Sequence, residues 1–173
     1  MGKLIIIAGE NNSGKSVFAE NLAVRFSGKR YYIATMLPKT EENFKKIEKH
    51  IKQREKHDFT TLEIAYSLEK VPADSNTVIL LEDISNLLAN NIFERNRGTD
   101  AVLKEILTLA KKCKVLIAVT ISELQNNGYD DETAKYIDSL NEINEHLADE
   151  ALEVITMKNG KPIYEKGEED DIS

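Results

Sequence analysis

The sequence predicts a single α/β domain built on a doubly wound, mostly parallel sheet that ends in an antiparallel hairpin edge. Three observations carry that expectation. Short, nearly continuous apolar runs alternate with longer helical patterns; the first run leads directly into a glycine-bearing loop and a helix; and an Asn-Gly pair near the C-terminus separates the last two strand-like segments.

The β-rich runs are Lys3–Ala8, Arg30–Ala34, Thr77–Glu82, Val115–Thr120 and Leu152–Met157. Each is short and nearly continuous in hydrophobicity, as suits a strand buried on both faces of a parallel sheet. Helical patterns fall between them at Lys15–Phe26, Glu41–Lys56, Ile84–Arg95, Asp100–Lys112 and Asp131–Asp149. Strand and helix in alternation imply βαβ crossovers. The last run is different, because Asn159-Gly160 joins Leu152–Met157 to Pro162–Tyr164, and such a pair favours a two-residue hairpin turn. One domain over residues 1–164 and an acidic, disordered tail over 165–173 are therefore expected.

Composition narrows the class. A chain of 173 residues can bury a sizeable core without disulfides or structural metal. Cys113 stands alone, so no intramolecular disulfide can form, and it reads as a small core or near-surface residue in a reducing compartment. The apolar run Leu4–Ala8 is too short for a signal-peptide core or a membrane span, and Ile6 stands where a myristoylation motif needs Ser or Thr. A cytoplasmic protein without membrane contact is the expectation. The formal net charge of −7 argues against a nucleic-acid partner, which usually meets a basic excess. Lys45, Lys46, Lys49, Lys52, Arg54 and Lys56 nevertheless make one local basic helix, which is either a solvated face or a phosphate-handling one.

Gly9-Glu10-Asn11-Asn12-Ser13-Gly14-Lys15-Ser16 satisfies G-x-x-x-x-G-K-[ST] at every fixed position, after a strand and before an apolar-striped helix. This is the P-loop signature. The glycines let main-chain N–H groups curl around phosphate oxygens at a helix N-terminus that already favours negative charge. Gly9, Asn11, Asn12, Ser13 and Gly14 would cradle phosphate, Lys15 would reach the β- and γ-phosphates, and the Ser16 hydroxyl would ligate Mg²⁺. The run Val78–Leu81 ends in Glu82 and Asp83, where open α/β sheets bind ligands. Glu82 or Asp83 could hold Mg²⁺ directly or through water, with Asp83 the better candidate for capping the helix that starts at Ile84.

Phe44, Ile47 and Ile51 fall on one face of the basic helix, and His50 and Arg54 stack one turn apart at its margin. Neutral histidine is a competent nucleophile at phosphorus, and a guanidinium can hold equatorial oxygens as charge builds. The plain alternative is a solvated surface histidine. His57 and His146 have no comparable setting.

In this order and spacing, several segments resemble the bifunctional adenosylcobinamide kinase and adenosylcobinamide-phosphate guanylyltransferase family of cobalamin assembly, over nearly the whole chain. They are Ser13-Gly14-Lys15-Ser16 with Ala19-Glu20, Tyr32-Ile33-Ala34-Thr35, Ile47 with His50 and Arg54, Phe59-Thr60-Thr61-Leu62-Glu63, Leu81-Glu82 with Asn90 and Phe93, and Asn144-Glu145-His146-Leu147-Ala148. The resemblance implies a P-loop NTPase-like fold and two reactions. A nucleoside triphosphate, ATP or GTP, phosphorylates the aminopropanol hydroxyl of adenosylcobinamide; GTP then guanylylates a helix histidine, and GMP passes to the corrinoid phosphate. It implies His50 as the guanylylated residue, Lys15 and Ser16 as phosphate and Mg²⁺ groups, Glu63 and Glu82 as acidic nucleotide and metal contacts, and a homo-oligomer, trimeric or larger.

The chain departs from the family pattern at defined places. Glu10 and Asn12 replace a glycine and an arginine of the loop, Glu55 replaces a proline, Phe59 a tryptophan, and the stretch Ile121–Tyr129 replaces a glycine-containing segment where a large acceptor could bind. Two rivals remain: a small-molecule or nucleoside kinase using only the P-loop, and a non-catalytic nucleotide-binding regulator. A GTPase switch is disfavoured, because no Asn-Lys-x-Asp motif is present.

Overall fold

The computed structural model describes residues 2–37, 40–122, 124–125 and 127–169, with the Gln53 side chain left aside. In chain order the elements are β1 (Lys3–Gly9), α1 (Lys15–Ala23), β2 (Lys29–Ala34), α2 (Glu41–Glu55), β3 (Phe59–Glu63), β4 (Thr77–Glu82), α3 (Ile84–Arg95), α4 (Thr99–Lys112), β5 (Val115–Ile121), α5 (Asp131–Glu150), β6 (Glu153–Lys158) and β7 (Lys161–Lys166). The strands form one sheet in the order β3-β2-β4-β5-β1-β6-β7. Every neighbouring pair is parallel except β6 and β7. This is the P-loop NTPase-like, doubly wound sheet with its antiparallel edge that the sequence predicts.

Strand alternation sorts the core into two layers. Leu4, Ile6, Ile33, Ile79, Leu81 and Leu116 pack with α3, α4 and α5. Ile5, Ile7, Tyr32, Val78, Leu80 and Ile117 face the other way, against α1. Both sets are buried because period-two side chains of a central strand meet helices on either side, which is why apolar residues dominate these runs.

Sequence and structure differ at several boundaries. Helix α1 stops at Ala23 rather than Phe26, since Arg25 and Phe26 N–H groups donate to Leu22 and Ala23 oxygens, tightening the end into three-residue turns. Strand β3, with no continuous apolar run, is an additional strand at the sheet edge. Strand β7 runs through Lys166, two residues into the expected tail, held by pairing of Val154 with Lys166. Residues 170–173 of that tail, and Glu123 and Asn126 of the 121–129 loop, lie outside the described residues. The Asn159-Gly160 turn has φ of 52° and 77°, as a type I′ hairpin needs. Cys113 is buried, and burial pushes its thiol up to about 12, so it is an inert core group.

Because β1, β2, β4 and β5 are parallel, their carboxyl ends share one edge of the sheet. Register places Ala34 beside Glu82 and Gly9 beside Ile121. The loop after β1, the acid ending β4 and the residues ending β2 are thus brought together by topology alone.

Candidate nucleotide-transfer site

The loop after β1 has the backbone its motif demands. Gly9 has φ of 152° and Gly14 of 93°, and Asn12 sits at 60°, a left-handed value that asparagine tolerates. A Cβ on Gly9 would come within 2.7 Å of both the Met157 carbonyl and the Ser13 hydroxyl. The loop is also braced from behind: the Gly160 N–H in the hairpin turn donates to Ser13 O at 3.0 Å. Lys15 Nζ donates to Gly9 O at 3.1 Å and to Glu10 O at 2.6 Å. Burial pulls its ammonium below the ordinary lysine value, while the carboxylates of Asp83, Glu82 and Glu10 oppose that.

Glu82 is the hub. One of its oxygens accepts from the Ser16 hydroxyl and the other from the Tyr32 hydroxyl. Ser16 and Glu82 therefore present hard oxygen donors side by side at the start of α1. Such a pair suits Mg²⁺, which takes one or two protein oxygens and fills its remaining positions with phosphate oxygens and water.

Asp83 takes the capping role instead. Its carboxylate accepts from Asn86 N–H at 2.8 Å at the start of α3, and burial raises its carboxyl above the usual aspartate value. The Thr35 hydroxyl donates to Asp83 O at 2.9 Å and accepts from Asp83 N–H at 2.8 Å, which fixes the main chain next to Glu82.

Helix α2 is capped by Thr40, whose hydroxyl accepts from Asn43 N–H at 3.1 Å, and carries Glu41 and Glu42 in its first turn. Its expected apolar face is only partly covered: Ile47 and Ile51 are half-buried and Phe44 is 56% exposed. Arg54 is 2% exposed, with its guanidinium 3.3 Å above the centre of the Tyr32 ring. A desolvated cation over an aromatic face is worth about 2 kcal/mol. His50, one turn earlier, is half-buried. Burial and the Arg54 charge pull its imidazole below the ordinary value, favouring the neutral, nucleophilic form. Glu20 of α1 is half-buried, its carboxyl raised by burial and by Glu82 against the opposing charge of Arg54.

These groups line one cavity of about 580 Å³, shared by Asn11, Asn12, Ser13, Gly14, Lys15, Ser16, His50, Arg54 and Glu82. Gly9 contributes from behind through its carbonyl. Glu63 is placed elsewhere: it is exposed at the end of edge strand β3 and lines a separate depression with Ile51, Lys70 and Pro72. His146 is exposed on α5 and lies outside the cavity.

Two asparagines of the resembling segments are structural ties. Asn90 Nδ2 donates to Thr35 O at 2.8 Å and to Ala65 O at 3.0 Å, and Asn144 Nδ2 donates to Ile121 O at 3.0 Å. They hold the carboxyl ends of β2 and β5, where the cavity opens. Sequence reasoning on chemistry alone passed over Tyr32 and Glu20. The available signal for Tyr32 was a hydroxyl-tipped ring two residues before the carboxyl end of β2.

A parallel sheet with a P-loop, its lysine and a paired hydroxyl and carboxylate defines a P-loop NTPase-like protein with a site suited to phosphate and Mg²⁺. The family model for cobinamide kinase / cobinamide phosphate guanyltransferase matches residues 5–164, and the chain belongs to that family. It is an enzyme of a bifunctional kinase and guanylyltransferase family that acts in cobalamin biosynthesis. Among individual curated proteins none matches the chain. No helix among the described residues is long and apolar enough to cross a membrane.

Proposed function

We propose that the protein phosphorylates adenosylcobinamide and then transfers GMP from GTP to adenosylcobinamide phosphate through a guanylylated His50. One observation carries this reading: His50 lines the same cavity as Lys15, Ser16 and Glu82, so a triphosphate cradled by the loop would lie within one chamber with an imidazole.

In the kinase step the acceptor hydroxyl attacks the γ-phosphorus of ATP or GTP; the new P–O bond forms as the bond to the nucleoside diphosphate breaks. Main-chain N–H groups of the loop and the Lys15 ammonium hold the charge that spreads over the phosphoryl oxygens. In the second reaction an imidazole nitrogen of His50 attacks the α-phosphorus of GTP. A P–N bond forms, the bond to pyrophosphate breaks, and pyrophosphate leaves. The corrinoid phosphate then attacks the same phosphorus, the P–N bond breaks, and His50 returns neutral. The lowered imidazole pKa keeps a free lone pair near neutral pH. Arg54 contributes a fixed positive charge one turn away, held by Tyr32 so that it need not reorganise during reaction. Ser16 and Glu82 would hold Mg²⁺, which when bound neutralises phosphate charge.

The Glu63 depression is separate from this chamber, so the nucleotide contact that the resemblance implies for Glu63 would have to be an outlying one, beside Ile51 of α2. A homo-oligomer in the cytoplasm fits a biosynthetic enzyme of this kind. The test is incubation with α-labelled GTP and Mg²⁺, followed by acid treatment. The wild type should carry acid-labile label and His50→Ala none. An unlabelled wild type removes guanylyl transfer and leaves a kinase, which cobinamide-dependent loss of ATP or GTP would register.

A further inference from the structure

We propose that Tyr32 is a positioning residue that ties the helix bearing His50 to the Ser16–Glu82 pair, a role that rests on the function proposed above. One side chain makes both connections. The hydroxyl of Tyr32 donates to one oxygen of Glu82, whose other oxygen accepts from Ser16. The ring face carries the Arg54 guanidinium at 3.3 Å.

The ring itself is held still. Tyr32 is 6% exposed in the middle of β2, and Phe59 of β3 meets it edge-on, with centroids 6.3 Å apart and planes at 86°. Arg54 is the buried side chain among the described ones of α2, so its seat on Tyr32 is where that helix enters the protein interior. Glu82 and Glu20 supply the surrounding negative field.

The phenol has a task that a phenyl ring would not perform. A carboxylate with a donor on each oxygen is confined to one orientation. Without the tyrosine hydroxyl, one Glu82 oxygen loses its donor and the carboxylate is free to turn away from Ser16. Removing the ring as well leaves a buried guanidinium without its aromatic partner and unseats α2. The hydroxyl therefore serves the Mg²⁺ pair, and the ring serves the helix.

Two substitutions in the full chain separate these roles. Calorimetric titration of GTP across a series of Mg²⁺ concentrations reads the first, and hydrogen exchange of residues 41–55 reads the second. Loss of a group that orients a metal ligand weakens metal affinity by roughly tenfold or more. Tyr32→Phe should raise the Mg²⁺ concentration for half-maximal GTP binding by that factor, with exchange in 41–55 as in the wild type. Tyr32→Leu should shift both readouts, speeding exchange in 41–55 ahead of exchange in the β1 and β5 core. An unchanged Mg²⁺ dependence in Tyr32→Phe overturns the proposal, as does equal α2 exchange in the two variants. The Phe variant keeps the ring and the volume, so its arm decides even if the Leu variant does not fold. Neither readout uses turnover, so a wild type that binds GTP but takes no label removes guanylyl transfer alone. Absence of GTP binding in the wild type removes both proposals.

Discussion

Thr35→Val should cost far more than its shape change suggests. Thr35 is fully buried, and its hydroxyl donates to Asp83 O at 2.9 Å while accepting from Asp83 N–H at 2.8 Å. Its own N–H donates to Glu82 O at 3.1 Å, so the hydroxyl and the main chain together set the end of β4. Valine fills the same space but cannot bond. A buried polar group left unsatisfied costs about 1–3 kcal/mol, so two of them give a loss of roughly 2–6 kcal/mol. For a chain of this size each kcal/mol lowers Tm by about 2–4 °C, so a central loss of about 4 kcal/mol lowers it by about 8–16 °C. Thr35→Ser keeps the hydroxyl and gives up one methyl, worth about 1 kcal/mol. Paired thermal and urea melts of the two variants provide the assay, with GTP titration reporting the effect on Glu82. A Val variant no less stable than the Ser variant would refute the claim that this hydroxyl holds the Glu82–Asp83 main chain.

Two further outcomes follow from the site. Gly9→Ala forces a Cβ to within 2.7 Å of the Met157 carbonyl at φ of 152°, so it should lose about 1–3 kcal/mol of stability and most nucleotide affinity; GTP binding equal to the wild type's, measured by calorimetry, would contradict the loop's role. His50 has a folded-state pKa below the ordinary 6.5, lowered by burial and then by Arg54. As pH falls through 6.5 the unfolded chain takes up this proton first, so stability drops from there down to the folded pKa and is unaffected above 6.5. The rate of acid-labile labelling should likewise stay level down to about that point, with its acid limb at lower pH, and Arg54→Gln should move the limb upward. An acid limb at or above 6.5 in the wild type would refute the lowering of the His50 pKa by burial and Arg54.

The phosphate loop was legible because its chemistry is local: Gly9, Gly14, Lys15 and Ser16 are set by main-chain geometry within a few residues. The central strands were legible for a related reason, since burial on both faces leaves few positions for a polar residue. Strand β3 escaped this logic. It lies at the sheet edge, where Thr60 is exposed and Thr61 half-buried, and its pairing with β2 depends on residues distant in sequence. The connection over 64–76 is similarly opaque, because it is pinned by Asn90 to Ala65 O and by Asn91 to Tyr66 O, from a helix that comes later in the chain. The amphipathic pattern of α2 was real but did not predict how little of that face is covered. The spacing of His50 and Arg54 one turn apart is legible on α2 itself, whereas the contact of Tyr32 on β2 with Arg54 depends on the fold.

Helix α2 meets the interior through a guanidinium and not through a broad hydrocarbon face, with Phe44 mostly exposed and Ile47 and Ile51 half-covered. The surface uncovered in a transition fixes its sensitivity to urea and its heat-capacity change. Detachment of α2 alone would wet little alkyl area, so it should respond weakly to mild urea and show a small heat-capacity increment, in contrast with the steep dependence of whole-chain unfolding.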